Sequence, residues 1–230
     1  MAGLHALSYG EAAALAKKLA AFGRILLTAN ETTNLVGATS LGELVVAHFL
    51  DSLAVARLVR LKPPVIDLGS GGGLPGIPIA LAYPGLSIVL FEPRAKRVAF
   101  LRSAVQGLGI ENAQVEQITA ESAGRGSWRE RAGTVLARAL SKPRVALELG
   151  LPLVRRAGQL ALYVGKAAAP DAGEAAVAKL LGGELAKALP VEVPYLNHAR
   201  HVWVFTKTGE TPAGFPRRSG TPKKEPIGLR

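Results

Sequence analysis

The chain has 230 residues, with 28 Lys and Arg against 17 Asp and Glu, a formal net charge of +11. Such an excess calls for an anionic partner, nucleic acid before an acidic membrane. Cysteine is absent, which excludes disulfides and thiolate metal sites. No apolar run approaches the roughly 18 residues of a membrane span, and no secretory leader opens the chain, so a cytoplasmic location is expected.

Ser8 and Glu11 have the spacing of a capping box ahead of Leu15, Leu19, Phe22 and Leu26, which predicts a helix over 8–29. Ser40 and Glu43 repeat that signal ahead of LVVAHFLDSLAVARLV, a second helix stopping before Pro63 and Pro64. Residues 1–62 therefore read as a helical segment packed on the core of the chain. From Val65 the texture changes. Strands are expected at 65–69, 87–92, 113–118, 133–138 and 158–164, and helices at 76–83, 94–108, 142–156 and 171–182. Apolar strands alternating with helices imply a parallel sheet covered on both faces. ELAKALPVEVPY and HVWVFTKT add an antiparallel edge pair joined by a short loop, giving about seven strands within 63–208. Residues 209–230, rich in Pro, Gly and basic side chains, read as an extended, partly ordered tail.

Between the first strand and the next helix stands VIDLGSGGGLPGIPIA, residues 65–80. A glycine bend there brings backbone N–H groups close to a ligand; nucleoside triphosphates, dinucleotides and S-adenosylmethionine (SAM) all use one. A phosphate loop needs Gly-Lys-Ser/Thr where Leu74, Pro75 and Gly76 stand. Gly71, Gly73 and Gly76 do satisfy the dinucleotide pattern, with Glu92 where a ribose-binding acid belongs. Asp67 tilts the choice. Its carboxylate, two residues before the first glycine, repels a pyrophosphate and attracts the ammonium or sulfonium of SAM. A SAM-dependent methyltransferase acting on another substrate stays open as an alternative, and behind it a NAD-dependent oxidoreductase.

VIDLGSGGGLPGIPIAL, the upstream NLVGATS and HFLDSLAV, the downstream EPRAKRVAFLR, TAES and ARAL, and the terminal PRRSGTPKKEP together resemble one family. It is the glucose-inhibited division protein B family, the ribosomal RNA small-subunit methyltransferases G. The resemblance implies an α/β, class I (Rossmann-like) methyltransferase that uses SAM to methylate N7 of a guanine in 16S rRNA. It implies cofactor contacts at Gly69 and Leu74 in the bend, at Ala120 and Glu121 beside the adenine, and at Arg138 ending the fourth strand. Asp67, Gly71 and Glu92 complete the expected cofactor set. Two departures stand out: Glu92 replaces the Asp of many members, and Lys166 in YVGKAAAP stands where a Lys-Gly pair is usual. Guanine N7 has a free lone pair and no proton to lose, so no general base is required and none is evident. Arg138 is the candidate positioning residue, and Arg138→Ala is expected to abolish or greatly lower transfer while leaving the fold intact.

Lys96, Arg97, Lys166, Arg200, Arg217, Arg218, Lys223 and Lys224 are the candidate RNA contacts, the last four held available by the tail's Pro and Gly residues. Deleting 215–230 is therefore expected to weaken RNA binding and leave SAM affinity little changed. Phe100, Tyr163 and Phe215 are candidates to stack on the target base. His48 reads as a packed, hydrogen-bonded residue. His198 and His201 lack a third ligand at metal spacing, so no metal is expected. A monomer without membrane contacts, acting on 16S rRNA, completes the reading.

Overall fold

The computed structural model describes residues 8–196 and 199–228. Seven strands form one sheet: β1 (Val65–Leu68), β2 (Ile88–Phe91), β3 (Ala113–Glu116), β4 (Ala132–Arg138), β5 (Val154–Val164), β6 (Gly183–Pro190) and β7 (His201–Lys207). Their order is β3-β2-β1-β4-β5-β7-β6. The first five run parallel, and β7 lies antiparallel to both β5 and β6. The mostly parallel sheet with an antiparallel edge pair is as the sequence implies.

Successive strand residues face opposite ways. Val65, Leu90, Leu136 and Ala161 meet α1 (Tyr9–Thr33), α2 (Leu41–Leu44), α3 (Asp51–Leu58), α4 (Gly76–Ala82) and α5 (Ala95–Gly107) on one face. Ile66, Phe91, Val135 and Leu162 meet α6 (Ala120–Arg125), α7 (Pro143–Gly150) and α8 (Ala172–Leu180) on the other. The N-terminal helices share the sheet's core. Phe22 of α1 stacks on Phe49 with ring centroids 5.5 Å apart, and both lie among Leu26, Val55 and Leu136. Each such side chain, once buried, contributes roughly 1.5–3 kcal/mol. The Ser8–Glu11 capping box forms, and α1 closes on Asn34 in the left-handed conformation.

Four features differ from the sequence reading. The helix expected from Ser40 is interrupted: a π-helical turn, Val45–Leu50, joins α2 to α3. The helix expected over 142–156 stops at Gly150, where Leu151–Leu153 tighten into a 3₁₀ turn around Pro152 and β5 begins at once. Helix α6 has no counterpart in that reading. Ten residues, 191–200, join β6 to β7 in place of a short loop. No helix among the described residues is long and apolar enough to cross a membrane.

The tail departs furthest. It is a packed strap across α6 and α7, not an extended arm. Arg129 donates to the carbonyls of Thr211 and Phe215, the latter at 2.7 Å, and Arg144 donates to that of Gly228 at 2.7 Å. Arg217 turns inward onto Glu148, which is 0% exposed. Its N–H, Nε and Nη2 donate to the carboxylate at 3.0, 2.8 and 2.6 Å. Pro222 of α9 (Thr221–Lys224) is buried against α7. The sequence concealed this because Arg217 resembles any exposed cation until its buried acid, 69 positions away, is placed beside it.

Arg217→Ala strips a fully buried carboxylate of its ion pair. Such a loss costs about 3–5 kcal/mol. Thermal unfolding should show the midpoint lowered by roughly 6–20 °C at this chain length; an unchanged midpoint would mean that the strap is not anchored there.

Candidate active site

Sheet order reverses between β1 and β4, the switch point at which open α/β sheets bind ligands. Strand alternation sends Asp67, Glu92, Arg138 and Tyr163, all at carboxyl ends, to the face covered by α1 to α5. Two carboxylates, one guanidinium and one phenol thus gather at one rim.

The bend leaves β1 through Gly69, Gly71 and Gly73, whose φ angles of +78°, +54° and +85° favour glycine. Most of its donors are satisfied internally. Gly69 and Ser70 donate to the Phe91 carbonyl, each at 2.9 Å, and Gly73 donates to the Ser70 carbonyl at 2.7 Å. Gly71 donates to Glu92 Oε2 and Gly76 to Asp67 Oδ2, each at 3.0 Å. A phosphate nest turns such N–H groups outward to an anion. This bend turns two of them, those of Gly71 and Gly76, onto carboxylates of the same sheet face.

Asp67 lies under the bend at 1% exposure. Gly76 must lack a side chain to admit it: a Cβ there would stand 2.7 Å from Oδ2. Burial pushes the carboxyl up to about 7, opposed by the Gly76 N–H and by Ser70. The open, ligand-facing carboxylate read from the sequence is in fact a brace beneath the turn. Glu92, 3% exposed, also accepts the Arg94 N–H at 2.9 Å. Carboxylate oxygens take about two hydrogen bonds each, which leaves capacity for a pair of ribose hydroxyls.

Arg138 Nη2 donates to the Ala47 carbonyl at 2.9 Å, meets His48 Nδ1 at 2.8 Å and pairs with Asp51 Oδ2 at 3.1 Å. An arginine only donates, so His48 Nδ1 accepts and its proton sits on Nε2. Burial, then the charge of Arg138, lowers the His48 pKa to about 4. His48 and Asp51 flank the junction of the π-helical turn with α3, a local widening that recurs at functional sites. Ser52, the last residue of HFLDS, donates to the His48 carbonyl at 2.6 Å. The motif is thus the cradle of Arg138. Sequence reasoning gave His48 its packed role but missed Asp51 as the arginine's partner.

Ala120 and Glu121 open α6, capped by Thr119, whose hydroxyl accepts the Ser122 N–H at 3.1 Å. Glu121 Oε1 accepts the Gly220 N–H at 3.1 Å, so the strap touches the helix expected beside the adenine. Leu74 packs half-buried on the first core cluster.

The candidate RNA contacts divide. Lys96, Lys166, Arg218, Lys223 and Lys224 are exposed, whereas Arg97 and Arg200 are half-buried. Arg97 donates to the Asn34 carbonyl at 3.0 Å, and the charge of Arg200 reaches His48. Arg217 is withdrawn as a phosphate contact because Glu148 holds its guanidinium. His201 Nδ1 donates to the Gly165 carbonyl at 3.1 Å, which ties down the loop bearing Lys166. His198 lies outside the described residues, among which no group of three or more His, Cys, Asp or Glu is placed to hold a metal. The Tyr163 hydroxyl is buried without a hydrogen-bond partner among the described residues, and Phe215 packs on the second core cluster.

Arg138→Ala removes the ion pair of an Asp51 that is 2% exposed. The expectation of an intact fold is therefore revised: unfolding in urea should show a loss of about 3 kcal/mol or more. The second test concerns acid. A folded-state pKa lowered to about 4 means that folded His48 binds fewer protons than unfolded His48. Its contribution is complete above the unfolded value of about 6.5 and declines as pH falls toward 4. Stability should fall less between pH 7 and 4.5 in His48→Gln than in the parent; parallel losses would contradict this placement of the ring.

The sequence pattern of the family described as rRNA small subunit methyltransferase G matches residues 15–192. A ribosomal RNA small subunit methyltransferase G of Pelotomaculum thermopropionicum is 36% identical over 207 residues, 88% of this chain and 87% of that protein. One from Lactiplantibacillus plantarum is 36% identical over 232 aligned residues, 96% of this chain and 95% of its own. Among solved structures, a 16S rRNA (adenine(1408)-N(1))-methyltransferase of Catenulisporales acidiphilia superposes with a TM-score of 0.52 at 15% identity, covering 64% of this chain and 85% of that one. At that identity the likeness speaks for fold alone. With the family pattern spanning most of the chain, this protein belongs to the rRNA small subunit methyltransferase G family.

Proposed function

We propose that the protein transfers a methyl group from SAM to N7 of a guanine in 16S rRNA. The observation that carries the cofactor is the bend, where the Gly71 and Gly76 N–H groups end on Glu92 and Asp67. A pyrophosphate meets two acids there, whereas a cationic ligand without phosphate meets a complementary field. Family membership supports rRNA as the substrate, since the relatives carry that activity in their names.

When bound, SAM supplies an activated methyl carbon: the guanine N7 lone pair forms the new C–N bond as the C–S pair departs to sulfur, and no proton leaves. The chain's task is then positioning. Glu92 offers lone pairs to the ribose hydroxyls, Ala120 and Glu121 border the adenine, and Gly69, Gly71 and Leu74 shape the methionine end. Arg138 is a positioning residue whose charge Asp51 offsets at 3.1 Å. An unpaired guanidinium would repel the sulfonium and the cationic product; the ion pair softens that repulsion. Asp67 contributes its field from beneath the bend. Lys166, Arg200, Arg218, Lys223 and Lys224 hold the RNA backbone, and the protein acts as a monomer on rRNA or on the small subunit.

The direct test incubates unmodified 16S rRNA and small subunits with methyl-labelled SAM and maps the product by mass. One 7-methylguanosine supports the reading; labelling on another atom, or none on either substrate, overturns it. Glu92→Gln should weaken SAM binding about tenfold, as expected when hydrogen bonds to a charged acceptor become neutral, and leave RNA affinity as it was.

A further inference from the structure

Helices α1 and α5 lie side by side yet do not close on one another. Thr28 and Ala29 on α1 face Ala99 and Ser103 on α5, and these small side chains leave an open groove of about 620 Å³ between them. That volume falls within the range of ligand-sized clefts, roughly 300–1,000 Å³. Ile25 and Phe100 form an apolar floor, Phe100 being 9% exposed. Arg24 and Lys96 supply the charge, one from each wall. No acid lines it, and α5 carries no Asp or Glu from Ala95 to Gly107.

We infer that this groove binds a single-stranded segment of the substrate RNA, with two phosphates on Arg24 and Lys96 and a base or ribose face on the apolar floor. Two cations above an apolar strip, with hydroxyls from Thr28 and Ser103, match the alternation of charge and flat ring along an unpaired strand. An acidic peptide would use the cations and leave the floor bare. Placement favours the same occupant. Lys96 stands four residues after Glu92, and α1 ends where Leu35 packs on Gly72 of the bend. One end of the groove therefore opens beside the cofactor rim, and the other runs away from it along the two helices. Phe100 becomes the base-contacting aromatic of the three considered, but for a flanking nucleotide and not for the methyl acceptor. The inference rests on the proposed RNA substrate.

The test is fluorescence anisotropy of a labelled, unstructured 12-nucleotide RNA over a range of salt, with the parent, Arg24→Gln/Lys96→Gln and Arg102→Gln. Arg102 is an exposed cation of α5 outside the groove. The double variant should bind at least tenfold more weakly, and its log–log salt slope should flatten by about 1.4, two phosphates at roughly 0.7 each. Arg102→Gln should bind within about twofold of the parent, and all three should melt together. Equal losses in the double variant and Arg102→Gln, no loss in either, or tighter binding of a labelled oligoglutamate than of the RNA would each overturn the groove. Anisotropy needs no methyl transfer, so the two readings fail separately. A parent that methylates rRNA while the double variant binds normally refutes only the groove, and one that binds RNA through the groove without methylating it refutes only the reaction.

Discussion

Everything at the rim depends on where the glycine bend sends its N–H groups. In phosphate-binding turns those donors converge on the ligand, so the turn is itself the electropositive element. Here Gly71 and Gly76 donate to Glu92 and Asp67, and the turn is stitched to acids on the same face of the sheet. Its backbone is fixed by internal hydrogen bonds, and the charge at its edge is negative. Burial raises the Asp67 carboxyl to about 7, so part of that charge is present only near and above neutrality. A cationic ligand beside it favours the ionised form.

The elements outside the central sheet complete the rim from two sides. From one side the π-helical turn and α3 bring the Ala47 carbonyl, His48 and Asp51 onto Arg138. The arginine is locked by three acceptors before any substrate arrives. From the other side the strap ties Gly220 to Glu121 and Arg217 to the buried Glu148. Helix α6 and the basic tail are therefore one mechanical unit. A truncation at 215 removes the partners of Glu121, Arg125 and Glu148 together with the exposed cations, so the expectation that such a deletion spares the rest of the chain is revised.

Much of the fold was legible because it is written in periodicities. Apolar runs at β1, β2, β4 and β5, and the Ser8–Glu11 capping box, are local signals that tertiary contacts left in place. Glycines in the bend revealed its position, and HFLDS marked a segment that matters. Nonlocal pairing stayed hidden. Nothing in PRRSG distinguishes Arg217, folded onto an acid 69 residues away, from Arg218, which is exposed. Asp51 and Arg138 are likewise far apart in sequence, and the π-helical turn that brings them together has no propensity signature. Asp67 was singled out by its place before the glycines, yet its depth beneath the bend depends on Gly76, a detail only packing reveals.

Isothermal titration of the purified protein with S-adenosylhomocysteine and, separately, with NAD⁺ tests the central claim most directly. A bend that directs its donors to Asp67 and Glu92 should take the phosphate-free nucleoside with a measurable heat and give none with the dinucleotide. Binding of NAD⁺ with no response to S-adenosylhomocysteine would contradict the account at its root.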